Sequence, residues 1–385
     1  MLSDTPDLGL GVKHGRIPAV FMRGGTSKAL VFHARDLPPD RARWDAIFLA
    51  AMGSPDPYGR QLDGMGGGLT SVSKVCVIGP PTRDDADVDY TFFQVMPREA
   101  RVVARNNCGN MSAAVGPFAV NEGLVPVSGP EAVVRIHNTN TGKIIRSTFP
   151  LVDGRAAIDG DLVIPGVSGS GAPVRLDFLD PGGAATGRLL PTKQAVQWLD
   201  IPGVGRVEAS IVDATGPCVF LAAHDLSLTA TEMPDALESD AAIMRLLHAI
   251  GAHAIAMGRG REAGEPKSLP LIALVAAPAA STTLTGETLA ADAADLCVRM
   301  LSEGQPHRAL PATGAICTAV AMQLPGTLPH RLAAPVSPGR PSRVATPSGV
   351  LQVDARVTVQ DGVPRAESGT LLRTARRLFE GYVYY

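Results

Sequence analysis

Aromatic residues make up only 4% of this 385-residue chain, and its charges nearly cancel, with 35 Lys and Arg against 37 Asp and Glu. Near-neutrality leaves no global field to draw a polyanion, and the sequence holds no polybasic block or basic stripe interleaved with aromatics, so nucleic acid is not an expected partner. No apolar run approaches the ~20 residues a membrane span needs, and Met1–Leu8 lacks both the basic patch and the apolar core of a signal peptide. A cytoplasmic protein without a membrane partner is the expectation. The five cysteines, at 76, 108, 218, 297 and 317, are odd in number and include no Cys-x-x-Cys pair, and the 8 histidines form no His-Glu-x-x-His. A disulfide framework, a zinc centre and an iron–sulfur cluster are therefore disfavoured, and no metal is expected.

What the chain does have is Gly and Pro, 41 and 32 residues, in a pattern of short apolar strands and tight turns. Its length suits two domains with a ligand cleft between them. The first half reads as a strand at Ile17–Arg23, a turn at Gly24-Gly25-Thr26-Ser27 and a strand at Lys28–Phe32. A helix follows, with Trp44, Ile47, Phe48 and Ala51 on one face until Gly53. Strands are expected at Lys74–Ile78 and Val88–Val95, a short apolar helix after Cys108, and strands near Ala132–Ile136 and Lys143–Thr148. The second half repeats this order: Glu208–Asp213, a turn at Ala214–Pro217, Cys218–Leu221, an amphipathic helix over Asp240–Met257, strands at Leu271–Val275 and Asp295–Met300, and a short apolar helix opening at Ala312. From first strand to this helix the halves span roughly ninety and one hundred residues, too long for a solenoid period and consistent with a duplicated α/β domain. The expected division is 1–187 and 188–385, with the last ~10 residues packing back on the first lobe. The Pro/Gly-rich stretch Pro181–Pro191 is expected to be a linker crossed by few contacts.

The most informative segment is Arg105-Asn106-Asn107-Cys108-Gly109-Asn110-Met111-Ser112, a turn leading into a helix. A helix start presents unsatisfied amides and a partial positive charge, which would hold an anion beside the Cys108 thiol. A lone cysteine is otherwise a small buried hydrophobe. The glycine-hydroxyl loop Gly66-Gly67-Gly68-Leu69-Thr70-Ser71-Val72-Ser73 runs into a strand beginning at Lys74. It lacks the spacing of a phosphate loop and leads to a strand where such a loop needs a helix, so a nucleotide site is not expected. Its amides at Gly67 and Gly68 and its hydroxyls at Thr70, Ser71 and Ser73 could fix a carboxylate, and Thr26, Ser27 and Lys28 offer a second such loop. Lysine is ordinarily a solvated surface charge. At the mouth of an apolar strand, however, Lys74 would be partly desolvated, which favours its neutral amine and makes it a candidate base. Arg299 and His307 are candidate cations for a distal carboxylate, with surface ion pairing the alternative.

Met22-Arg-Gly-Gly-Thr-Ser-Lys28, Asp56-Pro-Tyr-Gly-Arg-Gln-Leu-Asp-Gly-Met-Gly-Gly67, Ser73-Lys-Val75, Asp87-Val-Asp-Tyr90 and Cys108-Gly-Asn-Met-Ser-Ala-Ala-Val-Gly116 together resemble the PrpF family, the 2-methylaconitate cis–trans isomerases. Asp295–Met300, His307-Arg-Ala309, Pro325-Gly-Thr327 and Arg373-Thr-Ala-Arg-Arg-Leu-Phe-Glu-Gly381 extend the resemblance over nearly the whole chain. The resemblance implies a diaminopimelate-epimerase-like fold, in which two similar α/β lobes each wrap strands around a central helix, with a site in the cleft that uses no cofactor. It implies a small di- or tricarboxylate as partner and leaves self-association as a homodimer open. The implied activity is an allylic proton shift, most closely of 2-methylaconitate or aconitate, with 4-oxalomesaconate tautomerisation as an alternative. A non-catalytic carboxylate-binding or thiol-sensing protein is the alternative of another class.

The resemblance assigns Lys74 as catalytic base and Cys108 as its acid–base partner. In the epimerase relatives a second thiol stands at the matching helix start of the other lobe. Here that stretch is Leu310-Pro311-Ala312-Thr313-Gly314, with Pro311 or Ala312 where the thiol would be, and Cys317 falls deeper in the helix. Two-thiol racemisation is thus disfavoured. Asn107, Gly109 and Asn110 at the first helix start, and Thr313 and Gly314 at the second, complete the candidate carboxylate-binding set.

Overall fold

The computed structural model describes residues 15–104, 107–201, 205–258, 270–337, 339–360 and 362–385. Met1–Leu8 and the Arg105-Asn106 part of the turn lie outside the described residues.

The first lobe opens as expected. Strands β1 (Arg16–Gly24) and β2 (Ser27–His33) form a hairpin, with Gly24 opposite Ser27 and Gly25 at φ +50° in the turn. Helix α1 (Trp44–Met52) buries Ile47, Phe48, Ala51 and Met52 and ends at Gly53, whose left-handed φ of 70° lets its N–H bond back to Ala50 and Leu49. Strand β3 (Lys74–Gly79) runs parallel to β2, pairing Lys74 with Ala29, and antiparallel to β4 (Val88–Val95), pairing Lys74 with Gln94. Helix α2 (Gly109–Asn121) follows, capped by Cys108. Its residues 109–120 are all buried, so it shows no amphipathic stripe because strands cover it on every side. The sheet continues through β5 (Glu131–Asn138), β6 (Lys143–Val152) and β7 (Val174–Leu179).

The second lobe repeats the plan with hairpin β8 (Gly205–Asp213) and β9 (Pro217–Ala222), helix α3 (Ala241–Gly258), β10 (Leu271–Ala276) parallel to β9, β11 (Leu296–Ser302), and the buried helix α4 (Ala312–Met322). Strands β12 (Ser342–Thr346) and β13 (Gly349–Gln360) extend its sheet. The chain then crosses over. Strand β14 (Val363–Arg373) pairs with β13 on one side and with β7 on the other, and β15 (Ala375–Tyr384) pairs with β1 from Arg16–Tyr384 to Gly24–Ala375. Of these two strands β15 lies against α2, while β14 packs on α4, with Gly369 against Ile316, and joins the two sheets.

The core follows this layering. A central apolar cluster holds α2, α4 and the inward faces of both sheets, including Met111, Phe118, Ile316 and Val320. Full burial of one such phenylalanine contributes roughly 1.5–3 kcal/mol. Outer clusters lie beneath α1 in the first lobe and α3 in the second. The Pro181–Pro191 stretch departs from expectation because it is tied down: the buried Asp213 carboxylate accepts from the amides of Ala185 and Thr186 at 2.9 and 2.6 Å, and the Asp213 N–H donates to Leu189. Burial nevertheless raises the Asp213 pKa.

Candidate active site

The two buried helices meet end to end. A Cβ at Gly109 would stand 3.0 Å from the Ala312 Cβ and 3.1 Å from the Thr313 nitrogen, so the helix starts approach as closely as glycine permits. Beside this junction a cleft opens between the lobes. Its first-lobe wall holds Ser27, Thr70, Ser71, Lys74, Gln94 and the Asn107–Asn110 turn, and its second-lobe wall holds Thr215–Pro217, Leu271, Ser302, Glu303, His307 and Pro311–Thr313.

Lys74 is 7% exposed, and its Nζ donates to Gln94 Oε1 at 2.5 Å while lying 5.1 Å from the centre of the Phe92 ring. The Gln94 amide nitrogen donates to the Thr70 and Ser73 carbonyls at 2.9 and 3.0 Å, which fixes its oxygen toward the lysine. Among the described residues Lys74 makes no ion pair; its neighbours are a neutral acceptor and an aromatic face. Cys108 is half-buried at the α2 cap, with its thiol 4.0 Å from the Ser27 hydroxyl. Ser112 donates to the Cys108 carbonyl from both N–H and Oγ, at 3.0 and 3.2 Å, and from Oγ to Asn107 Oδ1 at 3.3 Å, which stiffens the turn. Asn110 Nδ2 donates to Thr26 Oγ1, and the Thr313 carbonyl accepts from the Thr215 hydroxyl. The Thr70 N–H donates to Gln305 Oε1 at 3.3 Å and so links the lobes across the cleft.

Several expected ligand residues stand elsewhere. The glycine loop is already filled by a side chain: Gln61 Oε1 accepts from the Gly68 N–H at 2.9 Å and from the Ser73 hydroxyl at 2.5 Å. Gly68, at φ +77°, packs on the Gly59 carbonyl, and Gly67 lies against Val72. Gly67, Gly68 and Ser73 therefore shape the loop and do not line the cleft. Gly314, one residue past Thr313, faces away from the cleft and packs on Met300. Lys28 lies with its amine 5.6 Å from the Phe21 ring, outside the lining. Arg299, 1% exposed, spends its guanidinium on the carbonyls of Thr231, Glu232 and Val298, and burial draws its pKa down to about 10. It is a structural cation away from the cleft.

His307 does line the cleft but not as a cation. Burial and the nearby Lys74 charge lower its pKa to about 4, and its Nδ1 accepts from the Ala309 N–H at 3.0 Å. At neutral pH the ring proton therefore sits on Nε2, which can donate. Among the lining residues not anticipated, Gln94 and Glu303 bear most on the chemistry. Gln94 had a signal, as an amide in the otherwise apolar run Phe92-Phe93-Gln94-Val95. Glu303 sits with Gly304 in a two-residue turn at φ +48° and +78°, which closes the Ser302–Gln305 pair, so Glu-Gly after an apolar strand was the available sign. Burial holds the Glu303 carboxyl above the usual carboxylate range, with Lys74 and Arg101 opposing.

Residues 14–385 match the family model described as PrpF protein. This chain belongs to the PrpF family. Among characterised PrpF relatives it is 41% identical to the 3-methylitaconate isomerase of Eubacterium barkeri, over 96% of this chain and 97% of that one. It is 38% identical to the 2-methyl-aconitate isomerase of Shewanella oneidensis, over 96% of both. The crystal structure of methylitaconate-delta-isomerase superposes with a TM-score of 0.76 at 40% identity, covering 97% of this chain and 96% of that one. A hydroxyproline epimerase from Agrobacterium vitis shares the fold alone, with a TM-score of 0.58 at 13% identity over 96% and 92% of the two chains. The PrpF chain is thus an isomerase on a two-lobed, epimerase-like α/β scaffold, not a non-catalytic binding protein. Among the described residues no helix is long and apolar enough to cross a membrane.

Proposed function

We propose that this isomerase shifts an allylic proton in an unsaturated di- or tricarboxylate of the 2-methylaconitate or aconitate type. The observation that carries the reading is Lys74: a buried amine fixed by Gln94, with no carboxylate paired to it among the described residues, facing a wall of hydroxyls and two helix starts. The helix starts and Lys74 give this cleft a positive potential, opposed within the lining by Glu303, that favours an anionic ligand.

In its unprotonated form the amine gives an N–H to Gln94 Oε1 and keeps its lone pair for the ligand. It takes a proton from the carbon adjacent to the conjugated system and becomes an ammonium. The charge left behind spreads to a carboxylate and is stabilised by the amides of the α2 start and the hydroxyls of Ser27, Thr70 and Ser71; one such donor is typically worth ~3 kcal/mol. The Cys108 thiol then gives its proton to the other end of the allyl system, and transfer from the Lys74 ammonium to the resulting thiolate restores both groups. Neutral His307 and the Thr313 turn bound the opposite wall.

Incubation of 2-methylaconitate, trans-aconitate, 3-methylitaconate and 4-oxalomesaconate separately in deuterium oxide, followed by NMR of their vinyl and methylene signals, tests the reading. Exchange and isomerisation are expected in the first or second acid. Transformation of 4-oxalomesaconate alone would move the assignment to a tautomerase, and silence in all four would overturn it.

A further inference from the structure

Arg373 ends β14 and is 2% exposed. A guanidinium buried to that degree ordinarily faces a carboxylate, because an unpaired buried charge is costly. Among the described residues Arg373 makes no ion pair; its Nε donates to Asn110 Oδ1 at 3.0 Å and its Nη1 to the Leu372 carbonyl at 3.0 Å. Arg299, the other deeply buried arginine of comparable exposure, differs in having three carbonyl partners and no contact with the cleft wall.

The corner around Arg373 is fixed from three directions. Asn110 is the second residue of α2, lines the cleft, and passes its amide hydrogen on to Thr26 Oγ1 at 3.1 Å. Gly25 covers the pair so closely that a Cβ there would stand 2.3 Å from Asn110 Oδ1 and 3.0 Å from the Arg373 Cδ. The Gly25 N–H donates to the Thr374 carbonyl at 2.9 Å, and Arg23 Nη1 donates to the same carbonyl at 2.9 Å and to the Thr374 hydroxyl at 3.0 Å. The guanidinium therefore cannot swing away to find an acid. Although burial draws its pKa to about 10, it stays charged at neutral pH, and its field reaches the cleft wall, where it helps keep His307 unprotonated.

We propose that Arg373 is a positioning residue for the anion in the cleft: from behind the first turn of α2 it locks the Asn110 amide and adds a whole positive charge to the helix start, drawing a ligand carboxylate to that end and away from Glu303. The inference rests on the carboxylate reading above. It also gives the Arg373-Thr374-Ala375 segment, remote in sequence from every other site residue, a place in the chemistry.

The test uses the full chain and tricarballylate, a saturated tricarboxylate that has no allylic proton to shift. Calorimetry is expected to show its Kd rising about tenfold in Arg373→Met and by less than about threefold in Arg373→Lys, which keeps the charge. NMR titration of the His307 ring should show its pKa rising in Arg373→Met and not in Arg373→Lys, a readout that a purely structural role would not move. If Arg373→Met is unfolded by circular dichroism, Arg373→Gln, which keeps a donor for Asn110 without the charge, takes its place with the same outcomes. Unchanged tricarballylate affinity and an unmoved His307 in a folded, uncharged variant would overturn this inference alone. Failure of the wild type to bind tricarballylate would overturn the carboxylate reading and this inference with it.

Discussion

The two lobes share a plan and differ in what they place at equivalent points of the cleft. The first residue of the strand parallel to each hairpin is Lys74 in one lobe and Leu271 in the other, and both line the cleft. The residue capping each central helix is Cys108 in one and Pro311 in the other. Near the end of the next strand stand Gln94 and Ser302. A racemase must present an acid and a base from opposite sides of one carbon. Here the proposed acid–base pair comes from one lobe, and the other contributes packing, neutral donors and Glu303. That asymmetry suits a proton that leaves and returns on one side of a flat, conjugated ligand.

The most damaging way to probe the asymmetry is to make the lobes alike. Lys74→Leu should lower isomerisation and solvent-deuterium exchange by about a thousandfold, and adding Leu271→Lys should not restore either, because that position lacks a Gln94. Recovery of turnover in the double variant would show that the lobes are interchangeable. Next in size, Gln94→Leu should lower kcat by about a hundredfold with a smaller change in KM, since it releases the amine without removing it. A kcat close to wild type would show that Lys74 needs no such anchor. Cys108→Ser should separate two steps, lowering isomerisation about tenfold while leaving exchange at the carbon that Lys74 deprotonates; equal retention of both would make the thiol a lining group. The smallest effect concerns the neutral wall. The His307 pKa of about 4 lies below the ordinary 6.5, so the unfolded chain takes up its proton first as pH falls, and stability is lost from pH 6.5 down toward 4. His307→Gln should flatten that part of the Tm-versus-pH curve, and an unchanged curve would mean that the ring titrates normally.

The sequence carried the strands, the helix starts and Lys74 because each is a local pattern: an apolar run, a glycine turn, a polar residue at a strand mouth. Gln94 depends on strand register, which pairs it with Lys74 across twenty residues, and no local pattern reports that. Gly67, Gly68 and Ser73 show the opposite failure. Their donors do form a cradle, but Gln61 fills it, and a glycine-hydroxyl string looks the same whether its occupant is a ligand or a side chain. Arg299 was misplaced because strand alternation alone does not tell which face meets the cleft, whereas the missing second thiol was readable at once because the helix start itself was.

The pairing of β15 with β1 bears on how the protein comes into being. Arg23 and Thr374, bonded in the finished molecule, are 351 residues apart in the chain. Until β15 is in place the first lobe is therefore an open sheet, with α2 uncovered along one side and β1 an unguarded edge. Pairings of such long separation form late and slowly. Cutting the chain between the lobes would therefore leave β1 without β15 and β7 without β14, two incomplete sheets rather than two domains.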